Sequence, residues 1–460
     1  MSQVNPHNVV IRVSFIAALA GLLFGLDVAY VNGALNFIIR DFNLDVSASG
    51  YVAGYLLAGS AVGALFSGWL SSRFGRKNVL VLSALMFTFS ITFTLLAHTF
   101  PLFLAARFAT GLGVGIASFV APLYLSEIAP FKIRGALIAM YQLMITIGIL
   151  LMFLSNAALA HTGSWRIMLS VLLVPSVIML IGTLTLPESP RFMALINKMD
   201  MARQILSKIR STQAEVNFEM NEIKETIRTK DSRLAILCKG YFLKVVLLGI
   251  LLQCLQQFAG INAFMYYSGK IFEMAGFTNP AIGTIIVGLV NVLTTLVAIK
   301  FVDKLGRKPI LYLGLGILII SCAVVGYIFN LQSAGVILSE MQQYLLVGFC
   351  LLFIFGFAVS LGPIVWILCA EIMPLEVRDL GVTISTMANW IFNTIIGSYT
   401  LVWFNTIGIG QTFWMFGFAS CLGLILIKYF TPETKDVRLE ELEANLKAGV
   451  ALKNIGLRVK

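Results

Sequence analysis

The chain has 460 residues, of which 58% are hydrophobic and only 12% charged, with a formal net charge of +11 and a mean hydropathy of +0.90. That balance excludes a soluble globular domain and calls for a lipid solvent. The apolar runs are continuous rather than alternating, so helices are expected and a β-barrel is not.

Runs of about 20 residues, the length that crosses roughly 30 Å of hydrocarbon, recur along the chain. In order they cover 11–34, 50–70, 78–97, 101–125, 135–160 and 166–186, then 243–269, 279–300, 309–330, 343–370, 379–402 and 411–430. The reading is an all-α membrane protein of twelve transmembrane helices in two pseudo-symmetric six-helix bundles. Mostly polar residues lead straight into a first run too long for a secretory signal, so that helix is expected to be retained. The segments divide as 1–186, a first bundle; 187–242, a linker; 243–430, a second bundle; and 431–460, a tail. In the linker, charges are mixed with Met201, Ile205, Leu206 and Ile209. This pattern predicts short amphipathic helices lying under the membrane domain, with a solvated tether as the alternative. The tail, which contains Arg438-Leu-Glu-Glu-Leu-Glu, is expected to behave in the same way.

The two bundles share motifs. Glu127-Ile-Ala-Pro followed by Arg134 matches Glu371-Ile-Met-Pro followed by Arg378, Gly75-Arg76-Lys77 matches Gly306-Arg307-Lys308, and Pro187-Glu188-Ser189 matches Pro432-Glu433-Thr434. A duplicated half in an apolar chain points to a transporter.

Cations fix the expected topology, because short loops rich in Lys and Arg stay on the cytoplasmic side. Arg73, Arg76, Lys77, Lys132, Arg134, Lys304, Arg307, Lys308 and Arg378 all fall on one side, opposite loops that hold little beyond Arg40 and Lys270. Both termini are therefore expected in the cytoplasm, in a multi-pass protein of the inner membrane. The positive charge is accounted for by orientation and anionic lipid, and no nucleic-acid partner is required.

The six Cys are widely spaced and the three His scattered, which suits free buried thiols and no metal site. Gly21 with Gly25, Gly59 with Gly63, and Gly111, Gly113 and Gly115 mark places where helices draw close.

Asp27 sits inside the first span, where a carboxylate costs roughly 2.5–3.5 kcal/mol and faces either a partner or a water-filled path. Arg107, early in the fourth span, is its available partner. Burial disfavours an ionised carboxyl and a guanidinium favours it, so a change in their separation changes proton affinity; a static ion pair is the other reading. Arg76, Glu127, Arg134, Asp303, Arg307, Glu371 and Arg378 lie at the inner ends of helices. They are read as a cytoplasmic gate whose charges pair across the halves when that side is closed.

The seventh span carries Gln253, Gln256, Gln257, Asn262, Tyr266 and Tyr267 around Gly260. Amides donate and accept, as sugar hydroxyls do, so such a cluster replaces hydration without burying a charge. Gln256 and Gln257 diverge by about 100° on a helix; both line one cavity only if the helix faces it broadly or unwinds near Gly260. Trp366 and Trp390 offer flat apolar faces to a sugar ring, or serve in packing. Gln142, Asn291 and Asn389 add neutral polar groups in other spans.

Taken together, Pro122-Leu-Tyr-Leu-Ser-Glu-Ile-Ala-Pro with Arg134-Gly135, Pro187-Glu-Ser-Pro-Arg191, Gln256-Gln-Phe-Ala-Gly-Ile-Asn262 with Tyr266-Tyr267, and Gly362-Pro-Ile-Val-Trp366 before Glu371 resemble the sugar porter family of the major facilitator superfamily. The likeness spans about Phe15 to Thr434. It implies the major facilitator fold around a central sugar site, with Gln142, Gln256, Gln257, Asn262, Asn291, Trp366 and Asn389 at sugar-contacting positions. In the branch resembling bacterial proton-sugar symporters, an Asp at the place of Asp27 carries the proton. Three departures stand out: Ser72 where the family has an acid, Asp379 where it has a small residue, and Leu26 where it has an aromatic.

The resulting expectation is proton-coupled import of a monosaccharide, with the bilayer as solvent and one chain holding a complete site, hence a functional monomer. Facilitative uniport of a sugar or cyclic polyol is the alternative, and a transporter-like sugar sensor a third reading. No nucleotide loop, metal cluster or nucleophile–base pair appears in the soluble segments, so neither an enzyme nor a cofactor is expected.

Overall fold

In the computed structural model, the described residues are 6–130, 134–228, 239–276, 279–374, 377–435, 437 and 439–457. The first bundle comprises α1 (Pro6–Phe42), α2 (Val46–Phe74), α3 (Arg76–Leu95), α4 (Phe100–Ile128), α5 (Arg134–Leu159) and a sixth crossing broken into α6 (Trp165–Ser170) and α7 (Leu173–Leu184). Short helices α8 (Pro190–Leu195), α9 (Met199–Ile209) and α10 (Gln213–Arg228) follow. The second bundle comprises α11 (Gly240–Phe258) continuing into α12 (Ile261–Met274), α13 (Pro280–Leu305), α14 (Arg307–Ser333), α15 (Glu340–Val359) continuing into α16 (Leu361–Glu371), α17 (Arg378–Thr406) and α18 (Ile409–Tyr429). The tail forms α19 (Leu439–Lys447).

Eleven of these crossings are long and apolar enough to span a membrane by composition alone. The twelfth, α17, has 29 residues, but a polar row at four-residue spacing (Ser385, Asn389, Asn393) lowers its hydropathy. That row is buried. Large apolar side chains such as Phe89, Phe93, Ile181, Ile320 and Phe418 are exposed around the outside, as a lipid-facing surface requires.

Within the first bundle, α2 runs along α4 and α1 along α5. Glycine makes these approaches: a side chain at Gly25 would strike the Ile145 carbonyl, and one at Gly111 the Leu56 carbonyl. Between bundles, α17 packs on α2, α13 on α5 and α12 on α1. We call the end where α1 begins and α18 finishes the termini face, and the opposite end the far face. Several close contacts between bundles lie toward the far face: Gly50 and Gly54 against Ser398, Gly288 against Leu150 and Phe153, and Gly269 against Asn32.

The short helices after the first bundle bury only part of their apolar pattern. Leu206 and Ile209 are buried with Ala202, whereas Met201 points outward. α8 and α9 rest on α4 and α1 of the first bundle. Arg210, next to α9, buries its guanidinium, donating to the Ile128 carbonyl at 2.8 Å and to both carboxylate oxygens of Glu219 at 2.6 and 2.8 Å. In the tail, Leu442 and Leu446 are buried.

Candidate functional site

Asp27 and Arg107 meet in the first bundle. Asp27 is 0% exposed and Arg107 1%, and Arg107 Nη1 donates to Asp27 Oδ1 at 2.5 Å. Breaking such a pair leaves an uncompensated buried charge, which makes it sensitive to any motion that separates α1 from α4. One turn toward the termini face on α1, the Phe24 ring lies 5.3 Å from the ring of Trp390 on α17.

Trp390 leads into a lattice of amides between α11, α16 and α17. Asn389 donates to Gln253 and to Gln256, each at 2.6 Å. Gln256 in turn donates to the Leu361 carbonyl at 2.8 Å and the Gly362 carbonyl at 3.3 Å, beside the break that separates α15 from α16 at Ser360. The seventh crossing breaks where the sequence allowed it: Gly260 has φ +92°, between α11 and α12. Across that break Asn262 donates to Gln257 at 2.7 Å, so both adjacent glutamines join polar networks. Each carbonyl has two lone pairs, and these groups can therefore exchange internal bonds for sugar hydroxyls.

Tyr266 and Tyr267 are committed differently. Tyr266 donates to Asn393 Oδ1 at 3.2 Å, and Tyr267 to the Gly397 carbonyl at 2.5 Å, tying α12 to α17. Asn291 is buried on α13, Gln142 half-buried on α5, and Trp366 37% exposed on α16. Among the described residues, no hydrogen bond joins these three side chains to the amide lattice. Trp390 is almost wholly buried.

At the termini face, the repeated motifs build the same network twice. Arg76 donates to Glu127 at 2.9 Å, and the Ser189 hydroxyl donates to the same carboxylate. Arg307 donates to Glu371 at 2.8 Å, and the Thr434 hydroxyl donates to it at 2.5 Å. Glu188 accepts from the Lys77 N–H at 3.0 Å. Glu433 accepts from the N–H groups of Arg307 and Lys308 at 3.0 and 2.9 Å. Each carboxylate thus satisfies free donors at the start of α3 or α14, after a glycine at φ +91° or +89°. Burial pushes the Glu188 carboxyl above its ordinary range, opposed by the backbone donors of Lys77, Ser189 and Arg76 and by the Arg76 charge. These ion pairs lie within each half. Arg378 is engaged, while the side chains of Arg134, Asp303 and Asp379 lie outside the described residues. Ser72, in place of an acid, bonds the Trp69 carbonyl of its own helix.

Sequence reasoning missed Asn393, although its four-residue spacing from Asn389 was a usable signal. It also missed Asn32, which crosses from α1 to donate to Ser268 at 2.7 Å and to the Met265 carbonyl at 3.0 Å. A single Asn in an apolar helix gives no sign of its partner.

Two helix bundles with an acid–guanidinium pair in one, an amide lattice in the other, and doubled charge networks at one end define a secondary transporter of the major facilitator type. The chain belongs to the family described as "Sugar (and other) transporter", whose model matches residues 13–446. It is 46% identical over 448 residues to the galactose-proton symporter of Escherichia coli K12, covering 96% of each chain. It is 42% identical over 449 residues to the arabinose-proton symporter of the same strain, covering 97% of this chain and 95% of that protein. Among solved structures, it matches the proton:xylose symporter XylE bound to 6-bromo-6-deoxy-D-glucose with a TM-score of 0.81 at 31% identity, covering 96% of this chain and 99% of that one. The inward-open XylE of E. coli also matches at 0.81, with 30% identity and coverage of 95% and 99%.

Proposed function

We propose that this chain imports a monosaccharide with a proton by alternating access across the bacterial inner membrane. The observation that carries the reading is the buried Asp27–Arg107 pair on the helix whose Phe24 packs against Trp390 at the amide lattice. The symporter relatives support the same reading. In this scheme the far face is the outside, both termini are cytoplasmic, and segments 1–186 and 243–430 are the two moving bodies, joined by 187–242 and followed by the tail 431–460.

A proton from outside neutralises Asp27 and loosens its hold on Arg107. Sugar hydroxyls exchange with the amide bonds of Gln256, Gln257, Asn262 and Asn389, while Gln142, Asn291, Trp366 and Trp390 complete the cavity; Tyr266 and Tyr267 fix its outer wall. The bundles then rock, and the charged groups at the termini face, Arg76, Glu127, Arg134, Asp303, Arg307, Glu371 and Arg378, govern opening inward. Release of sugar and proton re-forms the ion pair. One chain carries every group the cycle uses, so a monomer embedded in lipid suffices.

The test is sugar-induced alkalinisation outside energy-depleted cells expressing the protein, scanned across galactose, arabinose, xylose, other hexoses and inositols. An alkaline shift with one sugar names substrate and coupling together. Counterflow of a sugar that gives no shift would replace the reading with facilitative uniport.

A further inference from the structure

Tyr30 lies one turn beyond Asp27 on α1 and is fully buried. The carbon of the Arg107 guanidinium stands over its ring, 5.4 Å from the centroid, within reach of a cation–π contact. Arg107 has five N–H donors, yet among the described residues its one hydrogen bond goes to Asp27, and its Nε has no hydrogen-bond partner. The buried cation is held by a carboxylate charge and an aromatic face.

Only the first of these changes during transport. Once Asp27 takes a proton it is neutral, and the guanidinium keeps the ring as its remaining electrostatic partner. An apolar side chain of similar bulk would fill the space but supply no quadrupole. We propose that Tyr30 is a positioning residue of the proton site: its ring holds Arg107 in place while Asp27 is protonated, so that the pair re-forms on release. This inference rests on reading Asp27 as the proton carrier.

The experiment compares native protein, Tyr30→Leu, Tyr30→Phe and Asp27→Asn in cells, normalised to membrane protein amount. Gradient-driven accumulation and counterflow are measured with radiolabelled galactose, arabinose and xylose, and the ratio of the two is taken on the sugar with the strongest counterflow. Loss of the cation–π contact is expected to lower that ratio at least about fivefold in Tyr30→Leu, while Tyr30→Phe, which keeps the ring, restores it to within about twofold. Tyr30→Met replaces Tyr30→Leu if the latter does not reach the membrane. A native ratio in Tyr30→Leu overturns the proposal, and so does a parallel fall in both activities. A Tyr30→Phe protein as impaired as Tyr30→Leu also overturns it, since the hydroxyl would then be the active part. Accumulation by Asp27→Asn removes the proton-carrier reading instead, so the two failures are distinct.

Discussion

Phe24 and Trp390 touch across the two bundles, with ring centroids 5.3 Å apart. The helix that carries Asp27 therefore leans on the residue next to Asn389. A displacement of α1 would be felt at the amide lattice, and a rearrangement of the lattice at α1.

Asp27→Asn should abolish accumulation against a gradient, by tenfold or more on the order expected when a coupling charge is lost, while sugar exchange persists. Parallel uptake and counterflow assays check this. An Asp27→Asn protein that still concentrates sugar would remove proton coupling.

Gln256 and Tyr267 should separate binding from scaffolding. Gln256→Ala removes a group that bonds Asn389 and two carbonyls of α16, and KM should rise about tenfold or more, as for a lost polar contact in a hydrogen-bonding site. Tyr267→Phe removes the bond to the Gly397 carbonyl and should cost about 1 kcal/mol of stability with little change in KM. Uptake kinetics and thermal unfolding in detergent give both readouts.

The two termini-face pairs should differ in their sensitivity. Side-chain exposure is 10% and 4% for Arg76 and Glu127, but 11% and 20% for Arg307 and Glu371. Arg76→Ala strands the more deeply buried carboxylate and should destabilise by about 3 kcal/mol, whereas Arg307→Ala should cost less. Thermal shifts of the two purified variants rank them; the reverse order would mean that burial does not govern these pairs.

Gly260→Ala should weaken the break in the seventh crossing. Its φ of +92° disfavours any side chain, and a Cβ there would meet the Phe416 ring. The backbone cost alone is about 1–2 kcal/mol. A lower unfolding temperature is expected, with sugar affinity falling because Gln257 and Asn262 no longer face each other across the turn.

The apolar runs were legible because lipid imposes the same demand on every crossing, and the break at Gly260 was one of the two ways left open for the adjacent glutamines to line one cavity. The break at Ser360 carried a signal of its own that went unread: Pro363 has no N–H to donate and its ring crowds the carbonyl of Val359, where the helix ends. Asp27 with Arg107 was readable as a pair because each is costly without the other. Arg210 was hidden among the linker's many charges, and only the three-dimensional path of α9 and α10 brings it to the end of α4. The charge clusters at the termini face were expected at helix ends, but which acid meets which base depends on helix packing. Among the described pairs, neighbours within a half come together.

Glu188 follows the sixth crossing and Glu433 the twelfth, yet each reaches back to fasten the start of the third crossing in its own half. Each half therefore carries its own clasp, closing a late segment onto an early one without borrowing from its sibling. A gene duplication that copied such a unit would have copied a piece already fastened, leaving the surface between the two copies free to specialise in motion.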